Sequence, residues 1–150
     1  MIKYFELPLS KIGRLEPLWT ELNEIHKKDS KYFKPHFINM TFKKRVESLK
    51  LYNCTNIKIF VCSEKSILIG YAIAGIENQT GEIESLIVKS EFNGNGIGKK
   101  LVMHCNDWFN DQKCNRIKVG VAFGHENVYE FYMKLGFFPK MTFFELVNKE

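Results

Sequence analysis

The chain has 150 residues, with 22 Lys and Arg against 17 Asp and Glu and a formal net charge of +5. That length suits a single domain, residues 1–150, which buries its core without disulfide or metal staples. The basic residues are scattered, so they imply a general attraction for anions and no dedicated nucleic-acid interface. No apolar run reaches the length of a membrane span and the first residues lack a signal-peptide pattern, so a cytoplasmic protein without a membrane partner is expected. Cys54, Cys62, Cys105 and Cys114 form no close-spaced pair, which speaks against a zinc knuckle or redox dithiol, and His26, His36 and His104 are too scattered to argue for metal.

Residues 2–7 read as a first strand. From Ile12 to Ile25 the apolar positions Ile12, Leu15, Leu18, Trp19, Leu22 and Ile25 recur every three or four residues, an amphipathic helix that Pro17 obliges to start near Glu16. Residues 26–37 read as a Lys-rich, aromatic loop closed by Pro35. Thr41 is a plausible N-cap for a second helix carrying Phe42, Val46 and Leu49 on one face. Alternation marks strands at 57–62 and 67–76, joined as a hairpin, and a third at 82–88. Ile97, Leu101, Cys105, Trp108 and Phe109 stripe a helix ending near Asn110. Residues 117–123 alternate again, and a strand entered through a helical crossover should lie parallel to the strand at 82–88. Val128, Phe131, Tyr132 and Leu135 stripe a short helix stopped by Gly136, and residues 137–147 supply the final strands.

The chain is organised around residues 82–101, where an apolar strand passes through Asn93, Gly94, Asn95, Gly96, Ile97, Gly98 and Lys99 into a helix. Glycines let backbone approach a ligand, and the unpaired N–H groups of a helix's first turn attract anionic oxygens, so a phosphate-bearing cofactor is expected. The dinucleotide fingerprint needs a third glycine where Lys99 stands. The nucleoside triphosphate loop needs four residues between its glycines and a Ser or Thr after its Lys, whereas three residues separate Gly94 from Gly98 and Lys100 follows Lys99.

The spacing that remains resembles the acetyl-CoA loop of the GNAT superfamily of N-acetyltransferases, Arg/Gln-x-x-Gly-x-Gly/Ala, with Gly96 and Gly98 as the required glycines and Asn93 in place of the opening Arg or Gln. Residues 127–137, NVYEFYMKLGF, resemble the late helix of the same family with its Phe-Tyr pair. The resemblance covers nearly the whole chain. It implies an α/β GNAT fold with a mixed central sheet, helices on both faces and the order β-α-α-β-β-β-α-β-α-β. It also implies acetyl-CoA as cosubstrate, with the 94–99 backbone on its pyrophosphate, the strand edge at Leu86, Ile87 and Val88 along its pantetheine arm, and two parallel strands splayed to admit that arm. A backbone N–H near Ile87 or Val88 would face the thioester oxygen. The family's cofactor-contacting Asn, seven residues before the tyrosine, is here His125, with Asn127 two further on.

An alkylammonium has a pKa of roughly 10, so acetyl transfer to an amine requires a base. Glu82 and Glu84 are two apart on a strand and share a face. By resemblance, Glu84 falls where spermidine/spermine acetyltransferases carry their proposed proton acceptor and Glu82 where histone acetyltransferases carry theirs. Glu84 is favoured, through a water, and both stay open as solvent-face carboxylates or anchors for a substrate ammonium. The resemblance makes Tyr132 the proton donor to the departing thiolate. Trp19, His26, Tyr32, Phe33 and His36 would line an aromatic acceptor pocket if their loop folds over the cleft. The expectation is therefore an N-acetyltransferase acting on a cationic small-molecule or peptide amine, as monomer or homodimer. An acyl-CoA-binding sensor with little turnover is the alternative.

Overall fold

A computed structural model describes residues 1–52 and 56–147, so Cys54 lies outside the described residues. Strand β1 (Ile2–Leu7) runs through a 3-10 segment, Leu9–Leu15, into helix α1 (Glu16–Asp29), with Pro17 in the first turn, where its missing N–H is no loss. Helix α2 (Lys34–Asn39) follows, then α3 (Phe42–Tyr52). Pro35 opens α2 instead of closing a loop: a fixed φ suits a helix's first turn as well as a bend. Thr41 caps α3 as its sequence implies, its Oγ1 accepting from the Lys44 N–H at 3.1 Å.

Strands β2 (Ile57–Glu64), β3 (Ile67–Glu77) and β4 (Thr80–Val88) form an antiparallel meander. Helix α4 (Ile97–Asp111) then crosses over to β5 (Arg116–Val119), which lies parallel to β4, and α5 (Tyr129–Lys134) follows. The sheet order is β1-β2-β3-β4-β5. On one face Ile97, Leu101, Val102, Cys105 and Phe109 of α4 bury against Phe60, Ala72, Ala74 and Ile83. On the other, Leu15, Leu18 and Leu49 cover Ile59, Val61, Tyr71, Ile73 and Ile87. Helices therefore flank both faces, as the α/β reading requires. Burial pushes the Cys62 and Cys105 thiols up to about 11 and about 12, so both are small core residues.

Two ends of the expected order differ. β5 stops at Val119, and Phe123, read as a strand position, is 62% exposed. Residues 138–147 form no strand among the described residues and expose Phe138, Met141, Phe143, Phe144 and Leu146. Alternation and β-branched or aromatic content state only that a segment fits a pleated surface; a ladder also needs a partner edge.

Candidate active site

The chain between β4 and α4 is shaped by its glycines. Gly94 and Gly96 have φ of +83° and +74°, a left-handed backbone that side-chain-bearing residues resist. Gly98 is closely packed: an added Cβ would stand 3.2 Å from the Phe131 ring, which would have to give by a few tenths of an ångström. Gly96 is the N-cap of α4 and offers no side-chain oxygen, and the first turn carries no acidic residue. The N–H groups there receive no side-chain cap from Gly96 and stand at the positive end of a helix of 15 residues. Asn95 donates from Nδ2 to the Phe92 carbonyl at 3.0 Å and fixes the loop. Asn93 and Lys99 are exposed beside it.

β4 and β5 are zipped only from Thr80↔Arg116 to Ile83↔Val119. Beyond that rung β4 continues to Val88 while the chain after β5 turns away, so the sheet forks. At the fork β4 carries a bulge: Ile73 pairs with Ser85 and Ala74 with Ile83, which leaves Glu84 as the extra residue. A cleft of about 320 Å³ fills the fork, walled by Glu84 and Leu86 from β4, by Tyr132 from α5 and by Trp19, His26 and His36 from α1 and α2.

A sequence profile of the acetyltransferase (GNAT) family matches residues 19–137. The chain belongs to the GNAT family of acetyltransferases. Among solved structures, an aminoglycoside acetyltransferase from an uncultured soil metagenomic sample matches with TM-score 0.72 at 20% identity, over 99% of this chain and 97% of that one. Glucosamine-6-phosphate N-acetyltransferase from Arabidopsis thaliana matches with TM-score 0.65 at 21% identity, over 97% of each chain. A further aminoglycoside N-acetyltransferase, in complex with CoA, matches with TM-score 0.67 at 14% identity, over 96% of this chain and 98% of that one. At these identities the structures share the fold with this GNAT chain.

Several of the residues singled out in the sequence meet in the GNAT cleft. Tyr132 on α5 packs edge-on against Phe131 and Phe137, at 5.0 and 5.9 Å between ring centroids. Burial, reinforced by the neighbouring Cys105, pushes its phenol up to about 12. Glu84 lies opposite, held by Arg45 of α3, whose guanidinium donates to the Glu84 carbonyl at 2.8 Å and stands 3.6 Å from its carboxylate. Glu82 and Glu84 share the α3 side of the sheet, as their spacing implies, although the bulge intervenes. Arg45 was not anticipated; it lies three residues after Phe42 and four before Leu49, on the apolar stripe of α3, where a charge is out of place. Behind Glu84, Ser85 shares a 2.9 Å hydrogen bond with the buried Tyr71 hydroxyl.

The second cluster joins α1 to the loop before α5. His125 Nε2 sits 3.0 Å from an Asp29 carboxylate oxygen, and its ring stacks on His26 at 4.8 Å; His26 stacks in turn on Phe37 at 5.0 Å. Gly124 touches the end of α1, since a Cβ there would stand 2.7 Å from the Asp29 carbonyl. Burial first, then the His125 charge, with Asp29 opposing, lowers His26 to about 4. His26 is thus a neutral wall of the cleft, and its Nδ1 is buried without a hydrogen-bond partner among the described residues.

Tyr32 and Phe33 are not among the cleft's lining residues: Tyr32 is 54% exposed and stacks on Phe123 at 5.9 Å, while α2 brings His36 and Phe37, and the residue after it Met40, into their place. The Ile87 side chain is buried beneath α1 and Val88 packs beneath α4, so of the three strand-edge positions Leu86 alone offers its side chain to the cleft. Asn127 is exposed on the 3-10 turn Glu126–Val128, outside the cleft lining. Among the described residues no group of His, Cys, Asp and Glu has the arrangement of a metal site, and no helix is long and apolar enough to cross a membrane.

Proposed function

We propose that this GNAT chain moves the acetyl group of acetyl-CoA to a primary amine of a small molecule or peptide by direct attack in a ternary complex. The observation that carries the reading is the fork, where β4 and β5 part after Ile83 and Val119 and where Glu84 and Tyr132 wall one cleft. The uncapped amides at the start of α4 fit a pyrophosphate, so residues 94–99 would hold the cosubstrate there, with the edge of β4 at 86–88 along its arm. Bound in this way, acetyl-CoA supplies an activated thioester. Because His125 is committed to Asp29, Asn127 is the side chain that its turn leaves for the cofactor.

The chain's own groups divide the remaining work. Glu84 takes the proton that the ammonium must lose, through a water, while Arg45 fixes the carboxylate from behind. Glu82, two residues before it, anchors the ammonium. Tyr132, at about 12 against a thiol of about 8.5, keeps its proton by roughly 5 kcal/mol and therefore serves as a hydrogen-bond donor to the departing sulfur. The amine nitrogen gains the acetyl carbon as the carbon–sulfur bond breaks. The second proton that the nitrogen must lose passes through water to the released thiolate.

The test is thiol release from acetyl-CoA over polyamines, aminoglycosides, amino acids and Lys peptides, comparing the parent with Tyr132→Phe and Glu84→Gln. Turnover with one class and a fall of at least tenfold in kcat/KM for each variant support the roles. Tight acetyl-CoA binding without turnover of any amine would withdraw them. That outcome would favour an acyl-CoA sensor, a reading to which Asn93 and the Asp29-bound His125 lend support.

A further inference from the structure

The last zipped rungs of β4 and β5 floor a second cavity of about 510 Å³, on the α3 side and immediately before the fork. Glu84 and Arg45 line both hollows, so this cavity shares a wall with the cleft. It opens to solvent where an acceptor must come in toward the acyl group, and its lining is polar.

Apart from Arg45, which is engaged with Glu84, charge in the cavity is divided by strand. Arg116 and Lys118 are two apart on β5 and present two cations from one face. Glu77, Glu82 and Glu84 present carboxylates from β3 and β4. The Lys118–Glu82 pair that spans them is loose: at 3.6 Å it exceeds a charge-assisted hydrogen bond, and both side chains are more than a third exposed. Arg116 makes no ion pair among the described residues. A purely cationic ligand would meet repulsion on the β5 wall, and a purely anionic one would meet it on the β4 wall. A ligand carrying both signs satisfies both walls and replaces the loose pair with two ligand contacts.

Resting on the acetyltransferase reading of the same site, we infer that the acceptor is zwitterionic: a primary amine set a few bonds from a carboxylate or phosphate. Its ammonium lies at Glu82 and Glu84, facing the fork. Its anion lies on Arg116 and Lys118.

The experiment compares matched acceptors that differ only in the anion: an α-amino acid with its carboxamide, and an amino sugar phosphate with the free amino sugar. Thiol release from acetyl-CoA is read for each. A preference of at least tenfold in kcat/KM for an anion-bearing member is expected, and the responding pair tells carboxylate from phosphate. The double substitution Arg116→Gln with Lys118→Gln should bring that preference toward unity by raising KM. As a ratio within one preparation, the preference does not depend on how much variant folds. Equal or better turnover of the uncharged members, or of polyamines, overturns the proposal. If no amine releases thiol, the acetyltransferase reading fails, and calorimetric titration of the same pairs tests the cavity separately. Selective binding of the anion-bearing members then supports the zwitterion site, and absent or indiscriminate binding overturns it.

Discussion

His26 gives this protein a stability that depends on pH in a known direction. Its ring is neutral in the folded state because burial and the adjacent His125 lower it from 6.5 to about 4, with Asp29 opposing. Between those values the unfolded chain binds a proton that the folded chain refuses, so stability rises with pH through the window. The contribution is fully present above about pH 6.5 and is lost as pH falls toward 4. At about 1.4 kcal/mol per pH unit the gap sets a ceiling of about 3 kcal/mol, and partial solvent access to the ring reduces the expected value to about 1 kcal/mol. His26→Phe keeps a ring between Phe37 and His125 but removes the titration. Urea denaturation at pH 7.5 and pH 4.5 should show the parent losing about 1 kcal/mol more than the variant over that interval. Parallel losses in the two proteins would refute the assignment, and a larger loss in the variant would reverse its sign.

Gly96→Ala places a Cβ on a left-handed backbone, at a cost of about 1–2 kcal/mol, and should weaken CoA binding about tenfold by calorimetry; an unchanged Kd would refute the cradle. The three exposed rings of Phe138, Phe143 and Phe144 each offer roughly 150–250 Å² for burial, enough for reciprocal contact between two copies to approach the area of a specific interface. Phe143→Asp with Phe144→Asp should therefore lower the mass measured by light scattering at high concentration, and a parent that stays monomeric throughout would contradict this.

What could be read from the sequence was local. The glycine loop, the Thr41 cap, the stripes of α1, α3 and α4 and the hairpin alternation each depend on residues a few positions apart. The features that assemble the site depend on distant partners. Arg45 finds Glu84 across 39 positions and His125 finds Asp29 across 96, and no spacing rule reports either. The bulge at Glu84 is defined by its register against β3, which the β4 sequence does not carry. The expected strands at 137–147 show the same limit from the other side, since a segment with suitable side chains joins no ladder among the described residues. Tyr32 and Phe33 were placed by composition, whereas the hydrogen bond from the Phe33 N–H to Ser30 Oγ and the start of α2 turn that stretch away from the cleft.

The extra residue at Glu84 also acts as a phase marker. Ile83 faces α4, Ser85 and Ile87 face α1, and Leu86 and Val88 return to the α4 side, so the strand keeps its alternation only if Glu84 is left out of the count. Deleting Glu84 alone would leave those sides unchanged and draw the glycine loop about 3.4 Å toward the fork. Deleting two would exchange the sides of everything up to Val88 and draw the loop about 7 Å toward the fork. From the fork to the end of β4 the five residues 84–88 span about 17 Å, and a ligand anchored by its phosphates at one end must place its reactive group at the other. This stretch of strand is a ruler, and the bulge fixes where its scale begins.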